Sequence, residues 1–249
     1  MAAKYLNIDN DKYFKSFTRL QKFLPLERAL QMLETKKLWF SNPAKWPDPF
    51  ERRFVDGVYD GKKKFTWQGR VYCMCVTPIA TSEASWKAYS EKDIAVKLEF
   101  DKNEFLRIID EFTDKPGVMD VFFGKMDYQQ TKHIERPLNK IEFTDGVKLP
   151  INSKLFKARL LLLKRLAFKY ECEYRAIVVK KEKSLADGIL IDIPDIKALV
   201  KKITIGPSVG DEEYEMIKYY LIEKYKFDTK QIERSNLYKA SNNPRIKNT

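Results

Sequence analysis

Glu171, Glu173 and Arg175 stand two residues apart in the stretch FKYECEYRAIVVK, Phe168 to Lys180. In an extended strand all three point to one face, while Tyr170, Cys172, Tyr174 and Ala176 point to the other. Two carboxylates on one face repel and are costly to bury unless paired. Arg175 offers one partner. The run AIVV follows at once and reads as a strand buried on both faces. Charges on such a strand are expected to face a cleft and serve a site, and a solvent-facing sheet edge is the plainer reading. A second group of carboxylates lies in WPDPFE, Trp46–Glu51. Pro47 and Pro49 restrict the backbone on either side of Asp48, so its carboxylate is held in place, and Glu51 adds another. Asp48 is equally suited to capping backbone amides in a structural turn. In SWKAY, Ser85–Tyr89, the rings of Trp86 and Tyr89 are three apart on a helical turn, spaced to pack on a core or to flank a flat ligand.

Other chemistries lack their residues. There is no G-x-G-x-x-G, no G-x-x-x-x-G-K-[ST] and no G-x-S-x-G. The one histidine, His133, sits in a polar stretch, which argues against a His-dependent triad or zinc centre. Cys73 and Cys75 share a strand face, apart from Cys172, and read as small core residues.

The elements that position these groups follow from period and punctuation. Strands are predicted at Tyr13–Thr18, Leu38–Phe40, Val71–Val76, Ile94–Phe100, Met126–Gln130, Tyr170–Lys180, Gly188–Ile193, Lys201–Ile205 and Gln231–Ser235. Helices are predicted at Leu26–Thr35, entered through Pro25, and at Ser82–Tyr89, capped by Ser82. Lys102–Phe112, Ser153–Leu166 and Asp211–Tyr225 are further helices. The three prolines of SNPAKWPDPFE predict an ordered loop without helix. Residues 113–127 show no clear period beyond a turn at Pro116–Gly117, and His133–Pro150 reads as a polar connection. Short strands with irregularly inserted helices imply an α+β fold. Residues 1–240 are expected to form a single catalytic domain, and 241–249 a disordered tail.

The chain has 249 residues, 13% of them aromatic, which suits a folded globular protein. No apolar run approaches a membrane span, and LLLL at 160–163 is flanked by Arg159, Lys164 and Arg165, so no membrane partner is expected. An N-terminus without an apolar core and three cysteines, an odd number, lead to an expected cytoplasmic location. The formal net charge is +12, concentrated between Lys148 and Lys183. Such a surface attracts polyanions. Lys154, Lys157, Arg159, Lys164, Arg165 and Lys169 are the candidate nucleic-acid contacts.

The order of LWFSNPAKWPDPFE, CVT, SWKAYS, VKLEFD, LLKRLAFKYECEYR and ITIGP resembles a bacterial family of unknown function. That family carries an N-D-P-F-E loop, a C-F-S strand, a W-x-x-Y turn and a W-x-Y-E-x-E-x-R strand. Here Trp46–Pro47 stands for F-N, Val76–Thr77 for F-S, and Phe168 for Trp. More distantly, the pattern resembles the ADP-ribosyltransferases. The resemblance implies a split, mostly antiparallel β-sheet core with inserted and flanking helices, and NAD as substrate without a metal. It places Lys15 or Ser16 on a first strand that holds NAD. Ser85, Trp86 and Tyr89 fall at a strand–helix junction, where Trp86 and Tyr89 line the nicotinamide pocket; Asp48 and Glu51 shape its rim, and Arg175 neutralises Glu171 or binds the pyrophosphate. Glu173 becomes the catalytic carboxylate, with Glu171 orienting the ribose or the acceptor. The chemistry is coherent, since a carboxylate stabilises the ribosyl cation left by departing nicotinamide. A nucleic-acid acceptor, RNA before DNA, a toxin or phage-defence role and a neutralising antitoxin partner are further expectations. The rival readings are a non-catalytic nucleic-acid-binding protein and a nuclease holding Mg²⁺ on Asp48, Glu51, Glu171 and Glu173.

Overall fold

The computed structural model describes residues 2–8, 11–56, 58–59, 63–64, 67–78, 83–90, 94–151 and 153–239. In chain order the N-terminal part runs β1 (Lys4–Leu6), α1 (Lys12–Ser16), β2 (Arg19–Pro25), α2 (Leu26–Thr35), β3 (Lys37–Ser41) and α3 (Pro49–Asp56). A small pair, β4 (Val58–Tyr59) and β5 (Lys63–Lys64), precedes β6 (Val71–Val76), α4 (Glu83–Ser90), β7 (Ala95–Asp101) and α5 (Lys102–Phe112). Then come β8 (Val118–Lys125), β9 (Asp127–Gln129), α6 (Thr131–Ile134), α7 (Lys154–Leu160), β10 (Leu163–Arg165) and β11 (Tyr174–Lys180). The chain closes with β12 (Gly188–Asp192), α8 (Ile196–Leu199), β13 (Val200–Ile205), α9 (Asp211–Tyr225) and β14 (Ile232–Arg234).

Two sheets carry the fold, which is α+β as expected. The larger has the order β1-β8-β11-β6-β3-β12 and the smaller β14-β13-β7-β2. Pairing is antiparallel except for β1 with β8, β13 with β14, and the short β9–β10 pair. A bridge from Gln21 to Thr77 links the two sheets where β2 passes the end of β6. One core fills the space shared by the sheets: Tyr174, Ala176 and Val178 of β11 meet Leu98 and Phe100 of β7 and Ile203 and Ile205 of β13. Ile177 and Val179 point the other way, into a second core with Phe122, Trp67 and Leu160–Leu163. The alternation along AIVV is thus buried on both faces, as its composition implied.

Several expectations are corrected. Tyr13–Thr18 is not a strand. The Asp11 carboxylate accepts from the backbone N–H groups of Tyr13 and Phe14 and caps a short helix there, so local capping overrides the two-residue period. The edge strand β2 lies just beyond, where R-L-Q-K-F-L alternates, and Pro25 ends it and starts α2. WPDPFE contains a helix start. Pro49 is the first residue of α3, where its missing N–H is no loss. Ser153–Leu166 does not continue as one helix. It stops at Leu160, and Leu163–Arg165 pairs in parallel with Asp127–Gln129 instead. Residues 118–125, without a clear period, are a central strand with both faces covered. Finally, β11 begins at Tyr174; Leu166–Glu171 form a 3₁₀ segment. The Ser82 cap and the 241–249 tail fall outside the described residues.

Candidate active site

The cleft lies between β2 of the smaller sheet and β3, β6 and β10, with α2 along one side. It has a volume of about 770 Å³. Its floor is built by three sets of ion pairs, two of which join segments distant in sequence.

The first pair fixes α3. Asp48 accepts from the Phe50 N–H at 2.9 Å, as an N-cap should, and its other oxygen meets Arg165 at 3.2 Å. The Arg165 guanidinium is 4.5 Å from the centre of the Phe50 ring and 5.0 Å from that of Phe168. The second pair is deeper. Arg175 is 2% exposed. It donates to Glu51 and, at 2.6 Å, to the Leu161 carbonyl, and it lies 4.5 Å from the centre of the Trp46 ring. Burial alone would lower the pKa of Arg175. The surrounding acidic groups, Glu51 and Glu173 among them, hold it well above its usual range. Trp46 is itself fixed by its indole N–H on Ser41 Oγ at 2.8 Å.

The third pair is the centre of the site. Lys164, 7% exposed, sits between Glu171 and Glu173 and donates to both, to Glu173 at 2.9 Å. The two glutamates do not share the face of a straight strand. Glu171 ends the 3₁₀ segment, Cys172 adopts a left-handed backbone (φ 44°), and Glu173 precedes β11. That turn brings both carboxylates to one ammonium. Glu173 is tied by its backbone as well: its N–H donates to Tyr128 Oη at 2.9 Å and its carbonyl accepts from Met126.

The two acids are driven apart electrostatically. Burial and the neighbouring charge of Glu173 push Glu171 up to about 7, against the pull of Lys164. Burial opposes charge on Glu173 too, yet Lys164 and Arg175 outweigh it and hold Glu173 below the ordinary carboxylate range. One carboxylate is therefore a fixed anion, and the other exchanges its proton near neutral pH. Burial pushes the Cys75 thiol up to about 11 and Cys73 higher still, so neither is a ready nucleophile.

Asp48, Glu51, Glu171, Glu173 and Arg175 all line this cleft. Lys164 and Arg165, expected on a nucleic-acid-binding face, line it too, held in ion pairs rather than offered to solvent. Arg159 is buried, bidentate to Asp145 at 2.8 and 3.1 Å, and does not form part of a basic surface. Arg159 lies among the buried apolar residues of α7, and Asp145 compensates its charge. Lys154 is exposed but paired with Asp120, Lys157 is half-buried over Trp67, and Lys169 is exposed. Lys15 and Ser16 are exposed on α1, and neither lines the cleft. Trp86 is 2% exposed and packs edge-on against Phe23, so it is a core residue; Ser85 lines a smaller adjoining cavity. The Tyr89 side chain lies outside the described residues.

Other wall residues escaped the sequence reading: Lys22, Arg28, Lys37, Trp39 and Phe168. The alternating Arg19–Leu24 was the available signal for Lys22. Among the described residues no acidic group pairs with Lys22. Each of the four acids of the cleft already faces a cation of its own chain. A divalent ion there would have to displace Lys164, Arg165 or Arg175. Among the described residues no three His, Cys, Asp or Glu side chains are grouped to hold a metal, and no helix is long and apolar enough to cross a membrane.

Residues 85–176 match a family described as Protein of unknown function (DUF2971). The match runs from α4 into β11. It includes Lys164, Glu171, Glu173 and Arg175 and stops short of the Trp46–Glu51 loop on the N-terminal side. The expected resemblance to a family of unknown function is thereby borne out. No curated protein and no solved structure matches the chain.

Proposed function

We propose that the chain is an NAD-dependent ADP-ribosyltransferase that modifies nucleic acid, RNA before DNA. The observation that carries this reading is the pair Glu171/Glu173, held about one ammonium on the floor of a cleft of about 770 Å³. Cofactor sites span roughly 300–1,000 Å³, with apolar walls and a few fixed polar groups. Trp46 and Phe168 give flat walls for the rings of NAD. Lys22, Arg28, Lys37, Lys164, Arg165 and Arg175 outnumber the four acids, which suits a pyrophosphate.

Glu173 is the anion that faces the ribosyl carbon as nicotinamide leaves and positive charge develops. Lys164 and Arg175 hold it below the ordinary carboxylate range and so favour its charged form. Glu171 takes the acceptor's proton; a group with a pKa of about 7 does this best near neutral pH. Trp46 replaces the Trp86 of the sequence reading as the aromatic wall. An activity of this kind on RNA fits a toxin or phage-defence effector restrained by a neutralising protein.

The test is transfer of label from NAD to RNA, DNA or protein. Wild type should label RNA, and Glu173→Gln should lose about 100-fold or more of that activity. Absence of transfer to any acceptor refutes the enzyme; undiminished transfer by Glu173→Gln refutes the assignment of Glu173.

A further inference from the structure

A second hollow, of about 140 Å³, adjoins the carboxylate pair. It shares Lys22, Cys75, Lys164, Glu171 and Glu173 with the main cleft. The remaining wall is of mixed character, with the ring of Phe23, the hydroxyl-bearing Thr77 and Ser85, and the half-exposed Tyr170. Gln21 also lines the hollow, and its Oε1 is buried with no hydrogen-bond partner among the described residues. A buried acceptor without a donor costs stability, and a ligand N–H would satisfy it.

Displacement at a ribosyl carbon needs the nucleophile and the leaving group on opposite faces. One cleft for NAD and a separate hollow on the same two carboxylates meet that need. The hollow is the size of a single ring; a cavity of about 150 Å³ accommodates benzene. Charge narrows the occupant further. The two lysines and two glutamates of its wall balance in formal charge, so the hollow offers no net attraction to an arginine, lysine or acidic acceptor. A neutral ring with an N–H group remains. Enzymes that act on a base read it in this way once it is turned out of its strand, by stacking and by hydrogen bonds to its edge.

We infer that the small hollow is the acceptor subsite and takes one unpaired base of a single-stranded RNA, its N–H held by Gln21. This rests on the ADP-ribosyltransferase reading. The bond from the ribosyl carbon to the nicotinamide nitrogen breaks, and its electron pair leaves with neutral nicotinamide. A nitrogen or hydroxyl of the nucleotide bonds to that carbon and passes its proton to the Glu171 carboxylate. NAD is the only co-reactant.

Two substitutions test the inference. Ala88→Phe fills the hollow from an exposed position of α4, and Gln21→Leu removes the Oε1 that has no hydrogen-bond partner among the described residues. Both should keep the wild-type melting temperature, which shows that the fold is intact, and bind NAD with wild-type affinity by titration calorimetry. Transfer of label from NAD to a single-stranded RNA oligonucleotide should fall about tenfold in Gln21→Leu and be abolished in Ala88→Phe. Undiminished RNA labelling by both variants overturns the subsite and leaves the enzyme reading standing. Loss of NAD affinity together with labelling assigns the hollow to the nicotinamide end and overturns the acceptor assignment. Labelling of protein but not RNA by the wild type overturns the base as occupant. A wild type that binds no NAD overturns the enzyme reading, and this inference falls with it.

Discussion

Replacing Glu171 by glutamine should make the protein more stable, and only above the acid range. In the unfolded chain Glu171 releases its proton near 4.5; in the fold it holds the proton to about 7. The native state therefore binds more protons in that interval. Stability tied to neutral Glu171 is complete below 4.5, declines as pH rises, and is gone above about 7. A glutamine side chain has the same shape, stays neutral and escapes the decline. At about 1.4 kcal/mol for each tenfold change in proton affinity, the full effect would be roughly 3 kcal/mol. The Glu171 side chain is 25% exposed, so water screens part of this. A gain of about 1–2 kcal/mol is expected after that discount. Urea unfolding of wild type and Glu171→Gln at about pH 4.5, 6 and 8 reads it directly. The two midpoints should nearly coincide at the lowest pH and separate progressively. A gap independent of pH, or a wild type more stable than the variant in mild alkali, would refute the assignment of Glu171 as the acid pushed upward.

Other consequences follow from the same geometry. Arg175→Met leaves Glu51 buried without its cation and should cost about 3–5 kcal/mol in urea unfolding. Adding Glu51→Gln should recover part of that loss, and strict additivity would show that the pair is not coupled. Gly188→Ala would drive a methyl group into the Trp39 ring and the Phe40 carbonyl across the β12–β3 pair. It should cost about 1–3 kcal/mol, seen as a lower melting temperature, and it should weaken NAD binding because Trp39 lines the cleft.

The sequence revealed helices and buried strands where a single period dominates. Leu26–Thr35, Lys102–Phe112 and Asp211–Tyr225 match their expected bounds. It misled where tertiary pairing competes with a local pattern. Residues 153–166 are apolar on most faces, which reads as a helix, yet Leu163–Arg165 are claimed by the strand at Asp127–Gln129. The carboxylates of the site were legible as types and spacing. Their partners were not, because Lys164 and Arg165 read as surface charge, and only the turn at Cys172 brings Lys164 between Glu171 and Glu173. Trp86 looked like a ligand wall by its spacing from Tyr89. Its burial against Phe23 depends on how α4 crosses β2, which no local pattern encodes.

The most direct measurement is a crystal structure of Glu173→Gln soaked with NAD. The nicotinamide–ribose bond should lie over positions 171 and 173. The pyrophosphate should lie toward Lys22, Arg28 and Lys37, and a ring should rest on Trp46 or Phe168. An empty cleft at saturating NAD, or NAD bound with its ribose away from both positions, would contradict the account.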